Sequence, residues 1–267
     1  MNESVEKAEC AWQPLTLRGV SAFAGAPLRR LLLVQFVVAL VAAASVVWFL
    51  HRAWFPIIGE AIRQLPTQGE LRSGRLDWQG PTPSRLAEGR FLAIVVDLDH
   101  AGEARSPAHV QVEFGRADCK VYSLFGYARA AYPQGRTVAF NRGELGPWWG
   151  AWAPAILAIA AGLVVGSLMA IWACLATVYF LPAWLVGFFT NRELSLGGSW
   201  RLAGAALMPG ALVMCAAMVL YGWGALDIVR LAVAAALHLV MGWVYVVASP
   251  LRLPRQAVAT ATENPFV

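Results

Sequence analysis

LLLVQFVVALVAAASVVWFL, residues 31–50, decides the fold. The stretch holds no Asp, Glu, Lys or Arg, and its length matches the roughly 20 helical residues that cross a hydrocarbon core. Its apolar residues run on without period-2 alternation, so it predicts a spanning helix and not a barrel strand. Three more segments read the same way, at 151–180, 203–221 and 228–248. Apolar residues make up 58% of the 267-residue chain and charged residues only 14%, against about 45–50% and about 25% in soluble domains. The sequence therefore predicts an α+β membrane protein with four transmembrane helices and a small β-rich extracytoplasmic domain between the first two. Residues 1–30 are long for a signal-peptide n-region, and 46–50 stay apolar beyond the small residues 42–45, so the first span reads as an uncleaved anchor.

Arginine placement orients the chain. Arg18, Arg29 and Arg30 precede the first span, Arg192 and Arg201 lie between the second and third, and Arg252 and Arg255 follow the fourth. The turn between spans three and four has only Arg230, close to Asp227. This predicts both termini cytoplasmic, and the Ala- and Arg-rich usage points to a bacterial inner (plasma) membrane protein. The expected order is a cytoplasmic tail over 1–30, mixed in composition and mobile over 1–27, and a first span at 31–50. An extracytoplasmic domain at 51–147 and a second span at 151–180 follow. A cytoplasmic loop fills 181–202, spans occupy 203–221 and 228–248, and a cytoplasmic tail covers 249–267. Pro182 is expected to end span two.

The domain at 51–147 opens on Phe55, Ile58, Ile62 and Leu65, spaced for one helical face; this predicts a short helix along the outer leaflet or an extension of span one. Strands are predicted at 71–78, 91–98, 109–114, 120–124 and 137–140. One small sheet fits in that length; a doubly wound domain does not. The segment carries 12 basic and 10 acidic residues. Cys10, Cys119, Cys174 and Cys215 form no CxxC, and only Cys119 falls in this domain, so neither a disulfide framework nor a zinc site is predicted.

FLAIVVDLDH, residues 91–100, supplies the one constellation with catalytic overtones. On a strand, Asp97 and Asp99 would share a face and bind a divalent metal. The phosphatase pattern D-x-D-x-[TV] fails at Ala101, and a calcium loop fails at Ala101 and Ala108. A nucleotide-sugar transferase would need donors on the cytoplasmic side. The plain reading is a strand running into a polar turn. His238 is the one ionisable residue deep in a span, where a neutral imidazole bonded to a neighbouring helix is expected. Gln35, Ser167, Thr177 and His238 are the scant residues of a transport path. Gly197-Gly198-Ser199 is a candidate phosphate cradle. Ala158, Gly162, Gly166 and Ala170 recur every four residues in span two and predict close helix packing, within the chain or at a homo-oligomer seam. Trp148, Trp149 and Trp152 fit an interfacial belt. No GxSxG, P-loop or strand-bound GxGxxG is present.

GGSWRLAGAALMPGALV, residues 197–213, resembles the Yip family of membrane-trafficking proteins and its bacterial relatives of unknown function, with Trp200, Arg201 and Pro209 at the matching positions. The layout also resembles bacterial four-span proteins of unknown function that carry an L-x-x-G-x-L element, here Leu71, Gly74 and Leu76. The resemblance implies a helical bundle and supplies no catalytic residue. The resulting expectation is a non-enzymatic membrane protein whose outer domain binds a protein or envelope ligand through a surface that includes Arg72, Arg75, Arg85 and Arg90. The bilayer is its other partner. No cofactor and no nucleic acid are expected. A channel or transporter component, and a metal-dependent envelope enzyme centred on Asp97 and Asp99, are the alternatives.

Overall fold

The computed structural model describes residues 12–256; Cys10 lies outside them. The chain is α+β, with four helices long and apolar enough to cross a membrane: Leu28–Gln64, Arg142–Phe189, Leu196–Gly222 and Ile228–Arg252. It forms two compact units, one from residues 12–45 and 162–256, the other Val46–Ala161.

In the helical unit, α1 (Leu17–Ala22) is capped by Thr16, whose Oγ1 accepts from the Gly19 N–H at 3.0 Å. The mobile tail expected at 1–27 is thus corrected over 12–27. Val20 and Phe23 are fully buried in a core with Leu31, Trp172, Leu202 and Val246, and Tyr245 Oη donates to the Leu15 carbonyl at 2.6 Å. The tail folds because it has an N-cap and an apolar face to bury. Helix α2 (Leu28–Phe49) contributes Gln35, which is 4% exposed and donates to the Gly204 carbonyl at 3.1 Å.

Helix α4 runs Arg142–Phe189 without a break. The Asn141 side chain caps its start, accepting from the Glu144 N–H at 3.0 Å. Pro182 does not end it, contrary to expectation. One proline removes one N–H partner, whereas ending a helix in an apolar segment would strand several carbonyls. The stop is Asn191, left-handed at φ 54°. The Arg192 N–H returns to the Gly187 carbonyl and the Asn191 N–H to the Phe188 carbonyl, a Schellman closure. The expected loop over 181–202 therefore shrinks to the residues around 190–195. Helices α5 (Leu196–Ala206) and α6 (Met208–Gly222) follow with an interruption at Leu207, and then α7 (Ile228–Ala248).

In the second unit the first apolar helix passes through a π-helical turn, Leu50–Trp54, into α3 (Phe55–Gln64). Ala61 and Leu65 are buried, and the helix packs on strands β3 (Ser84–Glu88) and β4 (Leu92–Val96). Its apolar face covers a sheet, and it continues the first apolar helix, which runs Leu28–Gln64. That five-stranded sheet has the order β3-β4-β5-β6-β7, with β5 at Val110–Phe114, β6 at Asp118–Ser123 and β7 at Gly126–Ala131. Only β4 and β5 run parallel; the other neighbours are antiparallel. A second sheet of order β2-β1-β8 uses Arg75–Trp78, Gly69–Arg72 and Thr137–Ala139. The strand expected at 71–78 is two strands, because Ser73 and Gly74 both take positive φ, 50° and 75°, the signature of a two-residue hairpin turn.

Alternation gives the main sheet two unlike faces. Leu92, Ile94, Val96, Val110, Val112, Phe114 and Cys119 share one apolar core with Leu76, Phe140, Ala61 and Leu65. Their strand neighbours Gln111, Glu113 and Asp118 point the other way by the period-2 rule, yet are 3%, 1% and 3% exposed. Something polar must cover them.

Candidate functional site: an ionic network under a crossover loop

The cover is the connection between the parallel strands β4 and β5, residues 97–109. A parallel pair requires such a crossover, and this one is a loop without a helix. Asp97 stands just past the end of β4. It is 2% exposed and its Oδ2 accepts from the Gly102 N–H at 2.9 Å, closing the turn on itself. His100 takes a left-handed backbone, φ 53°, and its ring lies across the polar face. Nδ1 is 2.5 Å from Glu113 Oε1 and Nε2 is 2.7 Å from Asp118 Oδ1.

Each carboxylate is held further. Gln111 Nε2 donates to Glu113 Oε2 at 3.0 Å, and Tyr122 Oη donates to Glu113 Oε1 at 3.4 Å. Arg129 Nε on β7 donates to Asp118 Oδ2. Gln111 Oε1 accepts from the Ser106 N–H at 2.8 Å, and Ser106 Oγ donates to Glu88 Oε1 at 2.5 Å. The Arg105 guanidinium lies 3.9 Å from the Tyr122 ring centroid, a cation–π contact. These contacts pin the loop to β3, β5 and β6, and Arg129 joins β7 to the network through Asp118.

Both imidazole nitrogens of His100 face carboxylate oxygens, so the ring bridges two buried acids. Burial pushes the Asp118 carboxyl up, but the hydrogen bonds from His100 and Arg129 and their charges outweigh it and hold it below the usual carboxylate range. Burial, helped by the Asp118 and Glu113 charges, pushes the Cys119 thiol up to about 11; it is a poor nucleophile. Tyr132 Oη donates to the Gly115 carbonyl at 2.9 Å, and burial puts its phenol far above the ordinary range. Gly115 is obligatory for another reason: a Cβ there would lie 2.1 Å from His100 Nε2.

The Asp118 shift carries a sign. A carboxyl whose folded value is depressed stabilises fully above its unfolded value, and that contribution is lost as pH falls through the folded one. The sheet unit is therefore expected to lose stability on the acid side of the ordinary carboxylate range. An Asp118→Asn variant, less stable at neutral pH, should show a flatter acid limb in thermal melts recorded against pH.

The sequence-predicted residues are placed as follows. Asp97 and Asp99 do not converge. The strand stops at Val96, so the shared-face rule no longer applies, and Asp99, with its side chain 75% exposed, pairs with Arg116 at 3.3 Å. No group of three or more His, Cys, Asp and Glu able to hold a metal is present among the described residues. Arg72 and Arg75 face each other across the β1–β2 turn, with Arg72 3.7 Å from Glu70. Arg85 is held by Glu88 at 2.5 Å and donates to the Arg105 carbonyl at 3.0 Å, and Arg90 lies over Phe91, 5.5 Å from its centroid.

In the helical unit, His238 Nδ1 bonds the Ala235 carbonyl of its own helix, not a neighbour as expected. Ser167 Oγ donates to its own helix at Val164 (3.1 Å), while Thr177 Oγ1 accepts from Trp200 Nε1 at 3.1 Å. Gly197-Gly198-Ser199 form the first turn of α5, and Ser195 Oγ takes the Gly198 N–H at 3.0 Å. Arg201 Nη2 donates to the Ala24 carbonyl at 2.6 Å. Ala158, Gly162, Gly166 and Ala170 are all exposed, and a Cβ on Gly162 or Gly166 meets open space, so the ridge makes no close helix packing within the described chain at those glycines.

The arrangement defines a class: an α+β chain in which a sheet unit with a pinned crossover loop is inserted between helices apolar enough to span a bilayer. No protein-family model, curated protein or solved structure matches the chain.

Proposed function

We propose that the chain is a non-enzymatic multi-pass inner-membrane protein whose sheet unit, on the side opposite the cytoplasmic termini, binds a protein or envelope ligand. The observation that carries this is the β6–β7 hairpin. Every residue of β7 is exposed. At the turn Leu124 is 53% and Phe125 91% exposed, and Tyr127 beside it is 65% exposed. An open edge beside exposed aromatics is what a soluble sheet avoids unless it binds something. The titratable groups beneath the crossover loop are engaged with one another, which suits a rigid platform better than a reaction centre. Orientation follows from the arginines flanking the apolar helices.

Two measurements test the reading together. A membrane-impermeant maleimide should label Phe125→Cys on intact cells, and a photo-cross-linker at Tyr127 should capture a reproducible adduct in native membranes. Labelling only after lysis would reverse the orientation. An adduct pattern no different from that at lipid-facing Ile159 would remove the binding role.

A further inference from the structure

We infer that β7 is the docking edge for an acidic, extended peptide segment, added as a sixth strand to the five-stranded sheet. The inference rests on the binding role proposed above and names the partner's chemistry. Among the edge strands β2, β3, β7 and β8, of 4, 5, 6 and 3 residues, β7 is the longest. Among the described strands it pairs only with β6, so alternate N–H and C=O groups along its other side are open to another strand. Its sequence, GYARAA, keeps small alanines around the edge and leaves room for a peptide backbone to approach. Natural sheets guard such edges with proline, a bulge or an inward charge; β7 has a regular register from Gly126 to Ala131 and no proline.

Charge names the occupant. Residues 119–136 carry Lys120, Arg129 and Arg136 and not one Asp or Glu. The register sets Lys120 directly opposite Arg129. Arg129 spends its Nε on Asp118 with its side chain still 67% exposed, and the Lys120 ammonium lies 5.9 Å from the Tyr127 centroid. The carboxylates nearest in sequence, Glu113 and Asp118, are buried and engaged, so the exposed field at this edge is cationic. A second copy would bring this cationic edge against its own equivalent, where like charges repel. An acidic strand would meet cations instead, its carboxylates alternating onto the face that carries Lys120 and Arg129. The network from His100 to Arg129 ties β7 to β6 and β5 and holds the edge in a strand before the peptide arrives, which reduces the ordering cost of binding.

The test uses the full chain in nanodiscs and a fluorescent peptide alternating Glu with Val, read by anisotropy. The peptide should bind and its affinity should fall with salt. A Lys–Val peptide, and the Glu–Val peptide tested on a Lys120→Glu/Arg136→Glu variant, should each bind at least about tenfold more weakly. Methylating alternate backbone nitrogens of the peptide gives two sets. One set should abolish binding and the other should leave it, because a strand bonds its neighbour through alternate residues. Equal binding by both sets, or by the Lys–Val peptide, overturns the inference. So does an absence of peptide binding together with an environment-sensitive dye at Phe125→Cys that reports burial in lipid, which would assign the hairpin to the bilayer. If the peptides fail while cross-linking at Tyr127 still captures an adduct, the acidic-strand inference falls and the binding role stands.

Discussion

A His100→Ala variant is expected to lose about 3–5 kcal/mol of stability in the sheet unit, the cost of leaving a buried charge without its partner. The imidazole separates two carboxylates that are 1% and 4% exposed at the side chain. Without it, Glu113 and Asp118 face a cavity and each other, with Arg129, Gln111 and Tyr122 as their remaining partners. Removing the ring also takes away the loop's tie to Glu113 and Asp118, leaving the Ser106–Gln111 bond and the Arg105–Tyr122 contact to hold it to β5 and β6. Gly115→Ala should fall close to the same value by a different route: its methyl would occupy the place of His100 Nε2, 2.1 Å away, and the ring would have to leave. Because both changes break one interaction, the double variant should cost little more than either alone. Neutralising the carboxylates should restore part of the loss, so His100→Ala/Glu113→Gln/Asp118→Asn is expected to be more stable than His100→Ala. Thermal unfolding followed by near-ultraviolet circular dichroism reads all four. A loss under about 1 kcal/mol for His100→Ala, in the range of an exposed pair, would show that the network does not hold the loop.

The four apolar helices were legible in the sequence because one property, uninterrupted apolarity over a bilayer's thickness, is enough to mark them. Their ends were less so. Pro182 looked like a stop, but the helix ends where Asn191 turns left-handed. The strands with a buried face, β4 and β5, announced themselves by composition and alternation. β3 and β7 did not. SRLAE follows prolines and contains no β-branched residue, and GYARAA is exposed along its whole length, so it has no buried face to write a period-2 signal. The ionic network was half visible. VQVEF places Gln111 and Glu113 on one face of a strand whose other face is apolar, which asks what covers them. That His100 covers them depends on the crossover of a parallel pair, and pairing direction leaves no mark in a single sequence. Asp97 and Asp99 drew notice because only Leu98 separates them in the chain. The working partners of His100 are 13 and 18 residues away.

Gly210→Ala is the second large effect, and it separates two kinds of glycine in the helical unit. A Cβ at Gly210 would lie 2.5 Å from the His238 carbonyl oxygen and 3.3 Å from its carbon. Those are backbone atoms of α7, so no side-chain rotation relieves the contact. The α6–α7 pair would have to part, and the expected cost is about 1–3 kcal/mol, the usual range for overpacking, less the roughly 1 kcal/mol by which alanine favours a helix. Small residues serve this purpose in helix pairs that lack a hydrophobic driving force between them. Gly242 faces the same neighbourhood but meets only Leu207 Cδ2 at 3.5 Å, an ordinary contact, so Gly242→Ala should be neutral or slightly stabilising. Gly162→Ala and Gly166→Ala point into open space and should stabilise by up to about 1 kcal/mol each through helix propensity. Unfolding midpoints in mixed micelles rank the four. If Gly162→Ala or Gly166→Ala proved as costly as Gly210→Ala, the exposed ridge on α4 would have to be a seam between two copies. If Gly210→Ala stabilised as much as Gly162→Ala, α6 and α7 would not approach as closely as their carbonyl contact requires.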